Sequence, residues 1–386
     1  MIPQPYGGRL VNRLARHGAG DGVDDYGSLP SIQLTLDESY DAEKIGIGAY
    51  SPLEGFSSES EFESITSGTK LENGLPWSMP IVLAPSGRRN TETVERLRAG
   101  DTVLLNDHSG NPLAILHLSG KYALQKDRFA ERVYGTKDAK HPNVEEIHNM
   151  GTTALGGSID LLRRLDSPFS KYELTPEESR EQFSRKGWKN VAAYQARNPP
   201  HLAHEYIQRI TLERDDIDGL FIQPVVGKLK KGDYKPEVIM EAYDAFVSKY
   251  YRGESVLLGS LSISMRYAGP KAVLFYAIVR RNYGCSHYIV GRDQAGVGSY
   301  YDPYAGHRIF DEFDIGVTPI RYNETFYCSV CKGMTSTKVC SHPESYRVNT
   351  SQTRIRRILA EGGEIPNEII RPEVASILAR GNVTIE

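Results

Sequence analysis

The pattern of apolar and polar positions changes near residue 187 of the chain. Before it, short strand-like runs are separated by turns. Apolar runs at 101–106 and 112–118 flank the turn-forming residues 108–111, which predicts a β-hairpin. Further short runs, such as 79–84, indicate a small, mostly β domain with helices between them. The charged, proline-containing stretch 161–180 is the predicted linker.

After residue 187, strand-like runs alternate with helical ones. This alternation predicts βαβ units and therefore an α/β domain with a parallel sheet. Ligands of such sheets bind beyond the carboxyl ends of the strands, so candidate chemistry should follow each strand directly. The predicted strands are 190–194, 219–226, 255–261 and 287–290, and the predicted helices are 202–212, 236–251 and 270–281.

The first candidate site, residues 195–205, follows a predicted strand and leads into a helix. Pro200 suits the first turn of that helix, whose free N–H groups and positive dipole end favour a phosphate. A guanidinium and two histidines three residues apart can donate to the same anion. The alternatives are a capped helix with two surface histidines, or zinc, for which no third ligand is near. The candidate ligand-binding residues are Gln195, Arg197, Asn198, His201 and His204.

Two further loops follow predicted strands. The glycines of 291–298 allow close backbone approach to a ligand, and Arg292 supplies charge for a phosphate, with a tight turn as the alternative. The chain has no Walker A pattern. The loop 264–271 carries Arg266 and Lys271 and is predicted to be a mobile phosphate loop, with a solvated loop as the alternative. The basic loop at 227–231 is predicted to be solvated.

Cysteine spacing predicts a metal site near the C-terminus. Cys328 and Cys331 form a Cys-x2-Cys pair, and Cys340 and His342 follow within about fifteen residues. These are the ligand number and types of a closed structural zinc site, and the alternative is a set of reduced packing thiols. Cys285 lies apart from this cluster and is predicted to be an ordinary buried thiol.

Composition narrows the class of protein. A chain of 386 residues has room for two or three domains. Its 46 basic and 49 acidic residues give a net charge of −3, which argues against a cationic nucleic-acid surface. A mean hydropathy of −0.43 and the lack of a long apolar run predict no membrane helix. The N-terminus lacks the apolar segment of a secretory signal, so a cytoplasmic location is expected.

The motifs together resemble those of the ATP sulfurylase (sulfate adenylyltransferase) family. Residues 195–204 resemble its QxRNPxHxxH signature, and residues 291–296 resemble its GRDHAG loop. Other similar segments are 5–13 for PHGGxLxxR, 265–271 for MRYAGPxEA and 350–378 for SGTxLRxxLxxGxxIPxWxxxPEV.

The chain also departs from the family pattern. Ala196 stands where many members have Thr, and Gln294 stands where many have His. Residues 351–353 are Ser-Gln-Thr instead of Ser-Gly-Thr, and the Trp of that last segment is missing. The cysteine cluster resembles that of a bacterial and archaeal subset without a kinase-like extension.

The resemblance implies a fold, a reaction and cofactors. It implies a PUA-like, mostly β N-terminal domain at 1–165, a Rossmann-like nucleotidyltransferase domain at 166–322 and a small zinc-containing domain at 323–386. The expected reaction is attack of sulfate on the α-phosphorus of ATP, giving adenosine 5′-phosphosulfate and pyrophosphate, or the reverse of this reaction. Mg²⁺ is expected with ATP, Zn²⁺ is expected to be structural, and the assembly is expected to be a homodimer.

The resemblance also assigns roles to residues of this chain. Sulfate is expected to be held partly by a backbone N–H, and the histidines are expected to stabilise charge in the transition state. The expected sets are, for sulfate, Gln195, Arg197 and Ala295; for catalysis, Arg197, Asn198, His201 and His204; for the nucleotide, Gln195, Ala196, Arg197, Asn198, Gly291, Arg292, Asp293 and Gln294; for the mobile phosphate loop, Arg266 and Lys271; and for the metal, Cys328, Cys331, Cys340 and His342.

Two other functions stand as alternatives. One is a different Rossmann-like nucleotidyltransferase whose acceptor is not sulfate. The other is an RNA-binding protein with a PUA-like domain and a zinc knuckle. The net charge of −3 and the lack of a basic aromatic platform argue against RNA binding.

Overall fold

The computed structural model describes residues 2–15, 26–348, 350 and 352–385. Ser351, which the sequence places in the C-terminal family segment, lies outside these residues. No helix in the described ranges is long and apolar enough to cross a lipid bilayer.

The N-terminal part is built on a mixed sheet whose described strands follow the order β1-β3-β4-β5-β2. The predicted hairpin is confirmed, because its two strands pair antiparallel with Leu104 opposite Ile115. Capping boxes at Thr35 and Ser58 start the first two helices. The elements are β1 (Ser31–Gln33), α1 (Leu36–Gly46), β2 (Gly55–Phe56), α2 (Glu59–Gly68), α3 (Arg88–Arg96), β3 (Thr102–Asn106), β4 (Pro112–Ala123), α4 (Lys126–Phe129), α5 (Pro142–Asn149) and β5 (Thr153–Leu161).

The apolar run 79–84 is buried but is not a regular strand, contrary to the prediction. It touches the sheet through a single bridge between Leu83 and Leu155 among the described pairs. Pro80 and Pro85 have no N–H to donate to a ladder, which explains why the pairing stays irregular.

The second part is an α/β domain with a parallel sheet, as predicted. Its described strands follow the order β10-β9-β6-β7-β8 and all neighbouring pairs are parallel. The chain runs outward in both directions from the β6–β9 pair, so this pair is the topological switch point. The elements are α6 (Pro176–Arg185), β6 (Val191–Tyr194), α7 (Leu202–Leu212), β7 (Gly219–Ile222), α8 (Pro236–Tyr250), β8 (Val256–Leu258), α9 (Pro270–Asn282), β9 (His287–Val290), α10 (Ala305–Glu312) and β10 (Thr318–Arg321).

The segment predicted as a linker is packed between these two parts. It contains the start of α6, and Glu173 within it accepts a hydrogen bond of 3.0 Å from Lys44 of α1, with both side chains at most 3% exposed. A second buried ion pair joins Asp41 of α1 to Arg266 of the parallel-sheet domain at 2.7 Å. Buried charges therefore fix the two parts to one another.

The C-terminal part packs against α7 and α8. Strands β11 and β12 contact α7, and α12 contacts α8. Glu205 of α7 forms a hydrogen-bonded ion pair with Arg371 at 2.6 Å, so the C-terminal part covers the helix that carries the candidate histidines. The elements are β11 (Thr325–Cys328), β12 (Gly333–Ser336), β13 (Arg347–Val348), α11 (Gln352–Ala360) and α12 (Pro372–Leu378).

Candidate active site

A cavity of about 460 Å³ opens at the carboxyl end of the parallel sheet. The loops after β6 and β9, the two strands of the switch point, both line it. Sheets of this topology bind ligands at this position. The C-terminal part forms a further wall through 322–326, Glu344, Arg347 and Thr350. The structure thus brings the first two candidate loops together in one site.

The start of α7 differs from the prediction. The helix begins at Leu202 with His201 as its N-cap, so Pro200 precedes the cap instead of lying in the first turn. The backbone N–H of Leu202 donates to the carbonyl of Ile369 at 2.9 Å. One of the N–H groups that the sequence offered to an anion is therefore used by the C-terminal part.

His201 is buried, and its neighbour His204 is half-buried with a buried Nδ1, so neither is a fully exposed surface residue. Their rings stack with centroids 3.6 Å apart and planes 20° from parallel. Burial lowers the pKa of His204 to about 4 and that of His201 well below its ordinary value. Both imidazoles are therefore uncharged at neutral pH.

Three buried polar atoms in this part of the cavity have no hydrogen-bond partner. They are Nδ1 of His201, Nδ1 of His204 and Oδ1 of Asn198. Buried polar atoms are nearly always satisfied in folded proteins, and exceptions often mark a missing ligand or water. The cluster is consistent with a polar ligand at the start of α7.

Arg197 is oriented by Asp233 and Tyr267, neither of which the sequence motifs indicate as a site residue. Its Nη1 donates to Oδ1 of Asp233 at 3.2 Å, and its guanidinium lies 5.2 Å from the ring centroid of Tyr267. The Tyr267 hydroxyl in turn donates to Oδ2 of Asp233 at 2.9 Å. Asp233 also accepts from Lys230 at 3.0 Å, so the loop predicted to be solvated supports the site.

The loop after β9 is joined to the first loop by side-chain hydrogen bonds. Gln294 accepts from the N–H of Gly291 at 3.2 Å and donates to the Tyr288 hydroxyl at 2.8 Å. That hydroxyl donates to Oε1 of Gln195 at 3.4 Å. Ala295 holds a left-handed φ of 56°, which is unfavourable for a side chain with a Cβ. Gln294 therefore ties the two cavity loops together without a charge.

Arg266 and Lys271 do not line the cavity, which differs from the prediction of a mobile phosphate loop. Arg266 is buried in the ion pair with Asp41, and Nζ of Lys271 donates to the carbonyl of Arg132. Met265 is the residue of this loop that contacts the cavity. The two basic side chains serve the contact with the N-terminal part instead.

The predicted metal ligands converge. One ligand atom from each of Cys328, Cys331, Cys340 and His342 lies within 4.8 Å of the others. The three Sγ atoms lie 3.3–3.5 Å from Nδ1 of His342, and Cys331 and Cys340 have sulfurs 3.9 Å apart. A tetrahedron with metal–sulfur bonds of about 2.3 Å has edges of about 3.8 Å. The cluster therefore fits a tetrahedral ion such as zinc.

Local hydrogen bonds favour the thiolate form of Cys328. Backbone N–H groups of Cys331 and Val330 donate to its sulfur and lower the pKa of the thiol to about 6. The thiolate is the form that binds metals. Cys285 is fully buried elsewhere, and burial raises the pKa of its thiol to about 12, as suits a packing residue.

Comparison with known proteins gives two family matches and full-length relatives. The ATP-sulfurylase family model matches residues 170–381, and the model of a PUA-like domain matches residues 3–164. Proteins named sulfate adenylyltransferase from Pyrococcus abyssi and Aeropyrum pernix are 42% and 43% identical over 380 residues, which is 98% of this chain and 98% of theirs. A solved structure described as the hexameric APS kinase from Thiobacillus denitrificans superposes with a TM-score of 0.76 at 27% identity, covering 99% of this chain and 69% of that chain.

Proposed function

The chain belongs to the ATP-sulfurylase family, and we propose that it is a sulfate adenylyltransferase. It converts ATP and sulfate into adenosine 5′-phosphosulfate and pyrophosphate, or catalyses the reverse. The observation that carries this proposal is the single cavity at the β6–β9 switch point, in which both signature loops meet.

The main difficulty of the reaction is to bring two anions together. A sulfate oxygen forms a bond to the α-phosphorus while the bond to the leaving pyrophosphate breaks, so positioning and charge stabilisation must supply the catalysis. We assign the sulfate to Gln195, Arg197 and the backbone N–H of Ala295. Asp233 and the Tyr267 ring support this assignment, because they hold the Arg197 guanidinium in one orientation.

The phosphates are assigned to the start of α7. Asn198 supplies a hydrogen bond there through its Nδ2, and the histidines supply theirs through ring N–H groups. The unpartnered, buried Nδ1 atoms of His201 and His204 support the assignment. Because the imidazoles are uncharged, they stabilise developing charge as N–H donors and not as cations. The backbone of Ala196 and of 291–294 lines the nucleotide pocket, and Mg²⁺ accompanies the ATP phosphates.

The cysteine cluster is proposed to be a structural zinc site. Cys328, Cys331, Cys340 and His342 supply all four ligands of a closed tetrahedron, which leaves no position for a reacting water. Bound there, Zn²⁺ would cross-link the end of β11, the turn between β11 and β12, and the segment that follows β12. By the same family resemblance, we propose that the protein is a homodimer, which light scattering of the purified protein can test. We also propose a cytoplasmic location.

A paired assay tests the function. Pyrophosphate release from ATP should require sulfate, and ATP should form from adenosine 5′-phosphosulfate and pyrophosphate. Release that is independent of sulfate, or that responds only to another acceptor, would indicate a different nucleotidyltransferase. Salt-sensitive RNA binding without either activity would favour the RNA-binding alternative.

A further inference from the structure

The cavity offers little uncompensated positive charge for two anions. Among its described lining residues, Arg197 shares the carboxylate of Asp233 with Lys230, and His201 and His204 are uncharged. The carboxylates of Asp293, Glu324 and Glu344 also line the cavity. Arg292 and Arg347 line the same cavity and have no carboxylate partner within 4 Å among the described residues. Arg292 is exposed, whereas Arg347 is half-buried, so the two are not equivalent.

Arg347 is fixed in place by the metal-binding part of the chain. It lies directly opposite Cys328 in the antiparallel β11–β13 pair. Its guanidinium lies over the ring of Phe326, another cavity residue, 4.7 Å from the centroid, so a cation–π contact holds the group at the cavity wall. Its Nε is buried and has no hydrogen-bond partner. A held, unpaired guanidinium at a cavity wall is an arrangement suited to binding an anion.

We propose that Arg347 is a further substrate-binding residue, which donates charge-assisted hydrogen bonds to the phosphate chain of ATP. This inference rests on the proposed function. Sulfate already has the guanidinium of Arg197 in that proposal. Apart from its Mg²⁺, the more highly charged phosphate chain otherwise meets the neutral donors at the start of α7, so it is the ligand that lacks a cationic side chain.

A role for the metal follows from the strand register. Since Cys328 and Arg347 face each other across one strand pair, an ion held by Cys328 fixes the strand that carries Arg347. The cluster then contributes to ATP binding through Arg347, although its four ligands leave no position for substrate. Metal removal and loss of the Arg347 side chain should accordingly act on the same property.

The test compares Arg347→Ala and Arg347→Lys with the wild type, with Arg357→Ala as the matched control. Arg357 lies on α11 with its side chain 70% exposed, so this control removes the same charge away from the cavity. Arg347→Ala should raise the Kd and KM for Mg–ATP by about tenfold to hundredfold and leave the sulfate KM nearly unchanged. Arg347→Lys should restore part of the affinity, because it keeps the charge but loses the planar fork. Arg357→Ala should behave as the wild type.

A second experiment removes the bound metal with a chelator, dialyses the chelator away and then measures Mg–ATP binding by calorimetry. Metal removal should weaken Mg–ATP binding by the wild type and weaken it much less for Arg347→Ala, because the two changes remove one interaction. Each variant is first checked for metal content and circular dichroism. If Arg347→Ala fails to fold, the Mg–ATP affinity of Arg347→Lys relative to the wild type tests the proposal.

The outcomes separate the inference from the function. If the wild type turns over with sulfate but the Arg347 variants bind Mg–ATP as tightly as it does, the role of Arg347 is refuted. A rise in the sulfate KM alone would equally overturn the assignment to the phosphates. A wild type without any sulfate-dependent turnover would instead overturn the proposed function.

Discussion

Replacing His204 by glutamine tests whether this imidazole works as an uncharged donor. Burial against His201 holds the pKa of His204 at about 4. Adding a proton to it at pH 7 therefore costs about 4 kcal/mol. A hydrogen bond to a charged group returns about 1.5–3 kcal/mol, so the imidazole should stay neutral even beside a phosphate.

Glutamine keeps an N–H donor and cannot titrate, so it should retain most of the activity. His204→Ala, which removes the donor, should lower kcat by on the order of 10²–10³. The assay is sulfate-dependent pyrophosphate release at saturating ATP from about pH 6 to about pH 8, the range in which an ordinary histidine titrates. Wild type and His204→Gln should give parallel profiles. If kcat rises or falls with pH in this range in the wild type but not in His204→Gln, the reasoning is refuted.

The same pKa makes a prediction about stability. The folded-state pKa of His204 is about 4 and the ordinary value is 6.5. As the pH falls below 6.5, the unfolded chain takes up a proton that the folded chain excludes, so the folded state loses stability until the pH reaches about 4. The loss from this residue is about 3 kcal/mol. Urea unfolding at several pH values should show that the free energy of unfolding falls less steeply with acid for His204→Gln than for the wild type. An equally steep fall in both would contradict the burial argument.

Three further changes test other parts of the structure. Arg197→Ala should raise the sulfate KM steeply, with little rescue by Arg197→Lys because lysine lacks the bidentate fork, and an unchanged sulfate KM would remove Arg197 from the sulfate site. Lys44→Met leaves Glu173 buried without its partner and should lower the free energy of unfolding by about 3–5 kcal/mol, as measured by urea titration. A loss below about 1 kcal/mol, the value of a surface pair, would contradict this. Cys331→Ser should release the metal and lower the thermal midpoint, and elemental analysis that finds no zinc in metal-replete wild type would reject the ligand assignment.

Local patterns were sufficient to predict the elements that carry the site. Leu202–Leu212 and His287–Val290 form at their predicted bounds. The first has helical spacing after two prolines, and the second is a short apolar run that ends at Gly291, so each local pattern leaves few alternatives. The metal cluster was also predictable, because its ligands lie close together in the sequence.

Features that depend on distant contacts could not be predicted. A basic loop with glycine has the same local pattern whether its arginine binds phosphate or a buried carboxylate, and the partner of Arg266 lies 225 positions away. The uncharged state of the histidines depends on how deeply α7 is covered, and part of that cover comes from the C-terminal part. Asp233 and Arg347 carry no local motif, so their place beside the cavity depends on the folded chain.

The buried ion pairs of α1 affect how this protein can be dissected and how it can evolve. A fragment that ends at residue 165 would keep Asp41 and Lys44 and lose both Arg266 and Glu173. Lys44 would keep Glu43 as a counter-ion, but Asp41 in one half and Arg266 and Glu173 in the other would be left without theirs. Separate recombinant halves should therefore be recovered mainly as aggregates. In natural lineages, a substitution at one of these four positions should persist only when its partner changes as well.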